Sequence, residues 1–553
     1  MRLVGSDLWQ EKSGHERQKC LPCPKFAVYK SFADNYQPRT VDTIAYQPAL
    51  RPALPCVYGP LEYREQRGQF ERIDAMLRDS GLEEEFIRLA VLEAGLDVAA
   101  MSVRQQQRFA RTSVLALRCN IARELTGLAT REFCVRLADS PLLQWFLQVG
   151  EMGGIRAFSK SSCDRFGRWV GKESLRAIND KLVALLTAPR GSAKGAQRPP
   201  AVALGLSAPI ECGEVFFDST CLQANLHFPV DWVLLRDAAR TLMKATVLIR
   251  RHGLRQRMPK EPLEFLSEMN TLCMKMGAKP RHADGKKHRK RVLREMKALE
   301  RRIADHARAH LELLESHWQQ TALSEGQARG IMARIKLVLE QLPAAIRQAH
   351  ERIIGERRLA NEAKILSLYD DALNVMVRGK AGAQVEFGNK LWLGETRRGV
   401  IVDYQLYRDN PGDSALVEPA LQRLVEGQGL AIAKVWGDRG LASQDNSAML
   451  ARRGIGDGLC PRDPAELARR LEREEGFRAG LKRRAGTEAR VGVFKNVFLG
   501  RPLPAKGFGH RELAVGWAVL SHNLWVAARL AEAAARRPAA APRNRPPPKP
   551  PVA

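Results

Sequence analysis

The stretch ECGEVFFDSTCL, residues 211–222, places an acidic residue directly after an apolar run. Residues 215–217 have the β-branched and aromatic character of a buried strand. Asp218 closes this run, so we predict a first core strand over about 213–222 that ends near Asp218. A carboxylate in such a place can bind a metal ion or cap a turn, and the sequence alone leaves both roles open.

A second acidic residue stands in a comparable setting. Asp438 follows an apolar run at residues 431–436 and is followed by Arg439 and a glycine. We predict that this run is another core strand and that Asp438 lies at its end. Arg439 could orient the neighbouring carboxylate or contact a ligand, and the sequence does not separate these roles.

The third acidic candidate lies on a predicted helix. Glu488 comes four residues after Arg484 and seven before Lys495, so we expect all three side chains on one helix face. Two carboxylates at strand ends and one on a late helix can hold two Mg²⁺ ions. Such ions clamp the attacking and leaving oxygens of a phosphoryl transfer. The alternative is an ion pair between Arg484 and Glu488 on a solvated helix.

The composition indicates a large, basic protein. The chain has 553 residues, of which 45% are hydrophobic, and this suffices for two or more domains with apolar cores. The formal net charge of +28 predicts a polyanionic partner, most often nucleic acid. The apolar stretch 513–530 contains His522, Asn523 and Arg529, which argues against a membrane span. No signal-peptide pattern is visible, so we expect a cytoplasmic protein.

The cysteines favour a reducing compartment. Ten cysteines occur without a regular framework, as is typical of cytosolic proteins. Cys20 and Cys23 have the spacing of half a zinc site, but no second pair follows at a suitable distance. We interpret them as unpaired cysteines of a loose extension.

The first part of the chain divides into segments of different character. Residues 1–58 are rich in proline, glutamine and charge and are interpreted as an irregular extension. Residues 59–188 have helical periodicity, with Arg165 and Arg168 expected on an exposed helix. This pattern is compatible with helix-turn-helix DNA binding and about equally with a plain helical bundle. Residues 189–208 form a linker by composition.

A helical insertion is predicted after the strand that contains Asp218. Residues 232–365 repeat apolar positions at steps of three and four, which predicts an antiparallel helical hairpin. A basic run from Arg281 to Arg302 carries ten Lys or Arg against three Asp or Glu. Such a run suits a solvated helix end or contact with a nucleic-acid backbone. The basic candidates within it are Lys286, Lys287, Arg289 and Lys290.

The remaining segments predict an α/β fold. Residues 209–231 and 366–530 alternate strand and helix signals, which describes a mixed sheet with flanking helices. Residues 536–553 are basic and proline-rich and are interpreted as a disordered tail.

A series of short sequence blocks runs in order along the chain. They are residues 118–145, Asp218-Ser219-Thr220 with residues 225–231, Gly379-Lys380 with residues 386–390, residues 410–413, Asp438-Arg439-Gly440, and Arg484-x3-Glu488-x6-Lys495-Asn496. Together they resemble the blocks of bacterial insertion-sequence transposases of the DDE type. The resemblance is greatest to the ISNCY-like group and to related families with the YREK signature, and it spans about residues 60–530.

This resemblance implies a fold and an activity. The fold is an RNase H-like mixed sheet with flanking helices, interrupted by an all-helical insertion and preceded by an N-terminal helical DNA-binding domain. The activity is cleavage of transposon ends and joining of the freed 3′-hydroxyl to target DNA. The implied partners are double-stranded DNA, as terminal inverted repeats and as target, and further copies of the chain in a dimer or higher oligomer. The implied location is the bacterial cytoplasm, at the nucleoid.

The resemblance also assigns roles to individual residues. Asp218, Asp438 and Glu488 are implied to be the catalytic ligands of two Mg²⁺ ions, with Mn²⁺ as a substitute. Arg484 and Lys495 are implied to bind phosphates beside the scissile bond. Further DNA contacts are expected from Arg439, Arg165, Arg168, Lys286, Lys287, Arg289 and Lys290.

One position departs from the family pattern, and two other functions stay open. The signature expects Tyr three residues before Arg484, where this chain has Leu481. The alternatives are a regulatory DNA-binding protein derived from a transposase, which would not need the carboxylates, and a nuclease of the same fold. Trp232, Trp392 and Trp436 could stack on bases, although burial is the simpler expectation.

Overall fold

The computed structural model describes residues 44, 46, 53–54, 57–151, 154–187, 201, 204–278, 284–380, 383–500 and 502–536. Cys20 and Cys23, most of the predicted extension and linker, the start of the basic run at 281–283 and the tail after residue 536 lie outside these described residues. Within them, the protein has a mixed α/β structure in which helices surround a six-stranded sheet.

Helices and one short hairpin form the first part of the described chain. They are α1 (Leu61–Asp79), α2 (Leu82–Ala94), α3 (Val103–Thr126), α4 (Thr130–Asp139), α5 (Pro141–Leu147), the hairpin of β1 (Gly150–Glu151) and β2 (Gly154–Ile155), α6 (Lys160–Phe166) and α7 (Lys172–Thr187). Local sequence explains the ends of the long α3. Ser102 begins it with a capping box to Gln105, and Gly127 ends it in the left-handed conformation.

The expected exposed helix around Arg165 and Arg168 is shorter than predicted. Because α6 ends at Phe166, Arg165 lies in its last turn and Arg168 lies in the turn before α7. The Phe166 carbonyl accepts a hydrogen bond of 2.8 Å from Asn120 Nδ2, which satisfies it outside the helix. Arg168 therefore lies outside the helix on which it was predicted, although both arginines are exposed.

The central sheet contains strands of both directions. They are β3 (Glu214–Gln223), β4 (Asn374–Lys380), β5 (Ala383–Thr396), β6 (Ile401–Tyr407), β7 (Lys434–Gly437) and β8 (Gly456–Leu459). The antiparallel β5 pairs with one side of β3 and the parallel β7 with the other. β8 continues in parallel beyond β7, and the long β5 pairs antiparallel with β4 along its first half and with β6 along its second half.

Asp218 lies in the middle of β3 rather than near its end, which corrects the predicted position. The strand continues to Gln223 because each residue from Val215 onward pairs with β5. Since side chains alternate along a strand, Val215 and Phe217 enter one core while Phe216 and Asp218 lie on the opposite face. The side chain of Asp218 therefore projects from one face of the sheet and not from the end of a strand.

The insertion between β3 and β4 is a bundle of four helices rather than the predicted hairpin. Its helices are α8 (Asp231–Arg251), α9 (Pro262–Gly277), α10 (Gly285–His317) and α11 (Glu325–Ala349). The predicted hairpin corresponds to α10 and α11, and Ser324 begins α11 with a capping box to Gln327. Residues such as Leu242 of α8 and Phe265 of α9 are buried in the same core, so these two helices complete the bundle.

The last helices join the first part of the chain to the sheet. They are α12 (Val417–Leu421), α13 (Gln444–Arg452), α14 (Pro464–Arg473), α15 (Phe477–Val493) and α16 (Phe508–Arg536). Asn179 of α7 donates to the Gly516 carbonyl of α16 (3.2 Å), and Asn523 of α16 donates to the Ile401 carbonyl of β6 (2.8 Å). One hydrophobic core runs through the N-terminal helices, the sheet and α16. No described helix is both long enough and apolar enough to cross a membrane.

Candidate active site

Asp218 lies on the face of β3 that α15 covers. Its neighbours along the strand on this face are apolar or weakly polar, so the carboxyl is set between two hydrophobic clusters. The first cluster is Phe216, Trp436 and Phe477, and the second includes Leu222, Leu391, Leu393 and Phe494. A carboxylate in such surroundings loses most of its hydration.

The surroundings of Asp218 raise the pKa of its carboxyl group. Burial raises the pKa of Asp218 to about 6; the charge of Arg484 opposes this rise, and the charges of Asp438 and Glu488 add to it. The Ser219 N–H donates a hydrogen bond of 3.0 Å to Asp218 Oδ1 and helps to stabilise the ionised form. A positive charge close to Asp218 would therefore strengthen its ionisation.

Asp438 follows β7 and opens the turn toward α13. Its Oδ1 accepts hydrogen bonds from the N–H groups of Gly440 (2.9 Å) and Leu441 (3.2 Å), which fix the orientation of the side chain. Its Oδ2 lies 3.9 Å from Nη2 of Arg484. The side chain is 40% exposed, so this second oxygen is accessible to a ligand.

A close contact places α15 over the sheet. Gly480 lies so near the six-membered ring of Trp436 that a Cβ at residue 480 would overlap it. Trp436 is buried, as expected from the sequence, and its ring stacks on that of Phe216 with the ring centroids 6.1 Å apart. The absence of a side chain at residue 480 therefore lets the helix approach β7 closely.

A buried carboxylate of β5, that of Glu395, also anchors α15 to the sheet. Glu395 of β5 is 4% exposed and accepts hydrogen bonds from Arg483 (3.5 Å, Nη1) and Arg490 (2.8 Å, Nε) of α15. The Arg483 guanidinium also lies 4.7 Å from the centroid of the Phe216 ring. These contacts fix α15 on both sides of Glu488.

Arg484 lies between two of the predicted carboxylates. Its Nη2 is 2.9 Å from Glu488 Oε1 and 3.9 Å from Asp438 Oδ2. The charges of both carboxylates, and that of Arg484, also act on the pKa of Asp218, so the three predicted acidic residues share one electrostatic environment. The ion pair between Arg484 and Glu488, expected as the alternative, is present as well. Against three carboxylates, this guanidinium supplies one positive charge.

The chemistry of these side chains fits magnesium, which prefers carboxylate oxygens and keeps waters in its other positions. In the present side-chain arrangement, the described residues contain no group of three or more His, Cys, Asp or Glu that would hold a metal ion. Arg484 stands between Asp438 and Glu488, and its guanidinium supplies positive charge to both carboxylates. With Arg484 turned away, Asp218, Asp438 and Glu488 would be the ligands.

Lys495 approaches the same face of β3 from the segment after α15. It lies in the π-helical turn Phe494–Leu499, and its Nζ is 3.0 Å from Thr220 Oγ1. Thr220 is two residues beyond Asp218 and so shares its face of the strand. Because the α-helix ends at Val493, Lys495 does not continue the α-helical face of Arg484 as predicted.

The position at which the family signature expects Tyr is partly buried. Leu481 packs against the cluster of Phe216, Trp436 and Phe477. An apolar side chain here adds to the contact between α15 and the sheet. It also lacks the hydroxyl that could reach a ligand.

Asp413 is a fourth carboxylate near the site, and it was not among the candidate residues selected from the sequence. Its Oδ1 accepts hydrogen bonds from Ser219 Oγ (3.0 Å) and Lys390 Nζ (2.7 Å). A Cβ at Gly440 would lie 3.1 Å from Oδ1 of Asp438 and 3.3 Å from Oδ2 of Asp413. Asp413 therefore links β3 and β5 to the turn that carries Asp438. Its place in one of the family-like blocks was the only sequence signal.

The other predicted DNA contacts lie on several parts of the fold. Arg439 is exposed in the turn after Asp438, at the rim of the carboxylate site. Arg165 and Arg168 are exposed around the end of α6. The four candidates of the insertion lie in the first turns of α10, and they are Lys286, Lys287, Arg289 and Lys290.

Comparisons with models of known protein families, with curated proteins and with solved structures found no match to this chain. The functional interpretation therefore depends on its residues and their geometry.

Proposed function

We propose that the chain is a DNA transposase of the DDE type that uses two divalent metal ions. The observation that carries this proposal is the convergence of Asp218, Asp438 and Glu488 beside Arg484. These residues come from the middle of β3, the turn after β7 and the helix α15, and no local sequence relationship would bring them together. A mixed sheet with flanking helices and a helical insertion supports an RNase H-like catalytic fold.

The residues of the chain have distinct tasks in this proposal. Bound metal ions would activate water, and then the freed 3′-hydroxyl, for in-line attack on a phosphodiester. Asp218 and Asp438 would hold the ions from the side of the sheet, and Glu488 would hold them from the helix. The partly buried position of Asp218 limits competing hydration, which strengthens its interaction with a cation.

Positive side chains around the carboxylates are placed to bind DNA phosphates. Arg484 would exchange its contact with Glu488 for a phosphate when metal binds, and its guanidinium suits bidentate contact. Lys495 and the exposed Arg439 flank the same face. The net charge of +28 supplies the long-range attraction to DNA.

The test uses the purified protein, Mg²⁺ and a plasmid that carries the coding region with its natural flanking DNA. We expect cuts in the flanking DNA that leave 3′-hydroxyls, located by primer extension. Asp218→Asn, Asp438→Asn and Glu488→Gln keep the side-chain sizes and should each abolish cleavage while binding in gel-shift assays is retained. Asp409→Asn, at an exposed loop residue, is the matched control. Normal cleavage by any of the three variants would contradict the proposal.

A DNA-binding protein without cleavage activity is the second candidate. The observation that favours it is the ion pair of 2.9 Å between Arg484 and Glu488, which engages the helix carboxylate without metal. Binding to the flanking DNA with no cleavage in Mg²⁺ or Mn²⁺ would support this candidate over the first.

A further inference from the structure

A basic cleft lies where the helical insertion joins the sheet. It has a volume of about 630 Å³ and is bounded by the start of α8, the first turns of α10 and the segment that follows α11. A cleft of this size is in the range of small-ligand sites. Its polar lining consists of Asp231, Lys286, Arg289, Arg352, Glu356, Arg357, Arg358, Asn361 and Lys364.

The charge of the lining strongly favours an anion. Six of these side chains are Lys or Arg and two are Asp or Glu. Arg289 and Arg358 form no ion pair or hydrogen bond with another side chain among the described residues. Two guanidinium groups thus line the cleft without an ion-pair partner in the described part of the chain, and guanidinium binds phosphate through paired hydrogen bonds.

Buried and strained residues hold the walls of the cleft in place. Asp231 is 5% exposed, and its Oδ1 accepts hydrogen bonds from Arg352 (2.8 Å) and Gln348 (3.0 Å). Glu356 adopts the left-handed conformation with φ 51°, which is uncommon for a residue with a side chain. It pairs with Lys286 (3.1 Å) and Lys290 (2.8 Å), so the segment after α11 is tied to α10.

An aromatic ring lies in the same wall. Trp232 lines the cleft and is only partly buried, with its other side packed against the core of the insertion. An indole beside positive side chains is the combination that single-stranded nucleic acid requires, because a base stacks on the ring while its phosphate meets the cations. A site for a free inorganic anion would have no use for the indole.

We infer that this cleft binds a nucleotide of an unpaired DNA strand, with its base against Trp232 and its phosphate on Arg289 and Arg358. This inference rests on the proposed function for the identity of the polyanion as DNA. It adds a second binding place at the root of the insertion, built from residues other than the carboxylates. The cleft would hold a strand that has separated from its complement.

Binding of a fluorescein-labelled single-stranded oligonucleotide, followed by anisotropy at fixed salt, tests this inference. The protein carries Asp218→Asn throughout, so that no cleavage occurs. Arg289→Ala with Arg358→Ala should weaken binding by tenfold or more, and Trp232→Ala by about tenfold. Arg308→Ala is the matched control, because Arg308 is an exposed residue of α10 that lies beyond the basic run and does not line the cleft. It should change binding by about twofold or less.

Two outcomes would overturn the inference. The first is an oligonucleotide affinity in the double arginine variant equal to that of Arg308→Ala. The second is displacement of the oligonucleotide by inorganic phosphate as effectively as by a nucleoside monophosphate, which would indicate an anion site without base recognition. Trp232→Phe, which keeps an aromatic ring, should retain most of the binding if Trp232→Ala fails to fold. Absence of plasmid cleavage by the unmodified protein would count against the proposed function and leave these binding results valid.

Discussion

Gly480 of α15 rests directly on the indole of Trp436, with no room between them for a methyl group. Trp436 lies two residues before Asp438 in the chain, and Gly480 lies about one helical turn before Arg484. The contact therefore sets the distance between the helix that carries Glu488 and the strand end that carries Asp438.

Replacement of Gly480 by alanine should move α15 away from the sheet. We expect Gly480→Ala to destabilise the protein by about 1–3 kcal/mol, since a methyl group here must displace a buried ring. The measurement is the melting temperature by calorimetry or circular dichroism.

The matched control for this substitution is Gly492→Ala on the same helix. A Cβ at residue 492 would meet no heavy atom within 4 Å. Because alanine is the better helix former, we expect this variant to be equally stable or more stable by up to about 1 kcal/mol. A lower melting temperature for both variants would show that the contact with Trp436 is not the cause.

The raised pKa of Asp218 should make the stability of the protein depend on pH, and substitution of Asp218 should remove this dependence. The folded protein favours the protonated carboxyl up to about pH 6, whereas the unfolded chain ionises at the ordinary lower pH. The stability due to Asp218 is thus fully present below about pH 4 and is lost as the pH rises through 6. Asp218→Asn, which cannot ionise, should melt at a higher temperature than the unmodified protein at pH 8, by the equivalent of about 1–3 kcal/mol.

The pH series provides the control for Asp218→Asn. The difference in melting temperature between the two proteins should shrink toward zero between pH 6 and pH 4. The exposed Asp409→Asn should show no such trend. A difference that is constant from pH 4 to pH 8 would mean that the carboxyl of Asp218 does not titrate as described.

Loss of Glu395 should loosen α15 without touching the predicted metal ligands. Glu395→Ala leaves Arg483 and Arg490 without their buried partner, and we expect a loss of about 2–4 kcal/mol. The more accessible pair of Glu214 and Arg397 serves for comparison, and Glu214→Ala should lose less than about 1 kcal/mol. Equal losses in the two variants would argue against the anchoring role. Urea-unfolding midpoints are the measurement.

Removal of Arg484 should increase the affinity of the carboxylates for divalent cations. In Arg484→Ala, Asp438 and Glu488 lose their common positive neighbour, and the pKa of Asp218 should rise further because the Arg484 charge opposes its rise. We expect Mg²⁺ or Ca²⁺ to raise the melting temperature of this variant more than that of the unmodified protein. Arg478→Ala, at an exposed position of the same helix, is the control. An unchanged response to metal would show that Arg484 does not compete with cations.

Much of the site could be predicted from apolar runs that end in acidic residues. Asp438 and Glu488 lie where the sequence indicated, after a strand and on a late helix. Asp218 was placed at a strand end because an apolar run stops there. The strand nevertheless continues through Ser219 and Thr220, since β5 supplies pairing partners that local sequence does not reveal.

Contacts between distant segments were beyond sequence reasoning. Asp413 was not selected from the sequence, because its partners, Ser219 and Lys390, come from other parts of the chain. The glycine at position 480 gave no sign of its partner on β7. Within the insertion, no sequence signal set Glu356 apart from other acidic residues, although it lines the basic cleft and pairs with α10.

The shared core of α16 also bears on how the protein is made. Trp517 and Leu524 of this helix occupy the same core as Phe86 of α2 and Val402 of β6. During translation, α16 is synthesised after every element against which it packs. Until then the apolar faces of the early helices lack their partner, so the nascent chain should depend on chaperones and acquire its stable core at the end of synthesis.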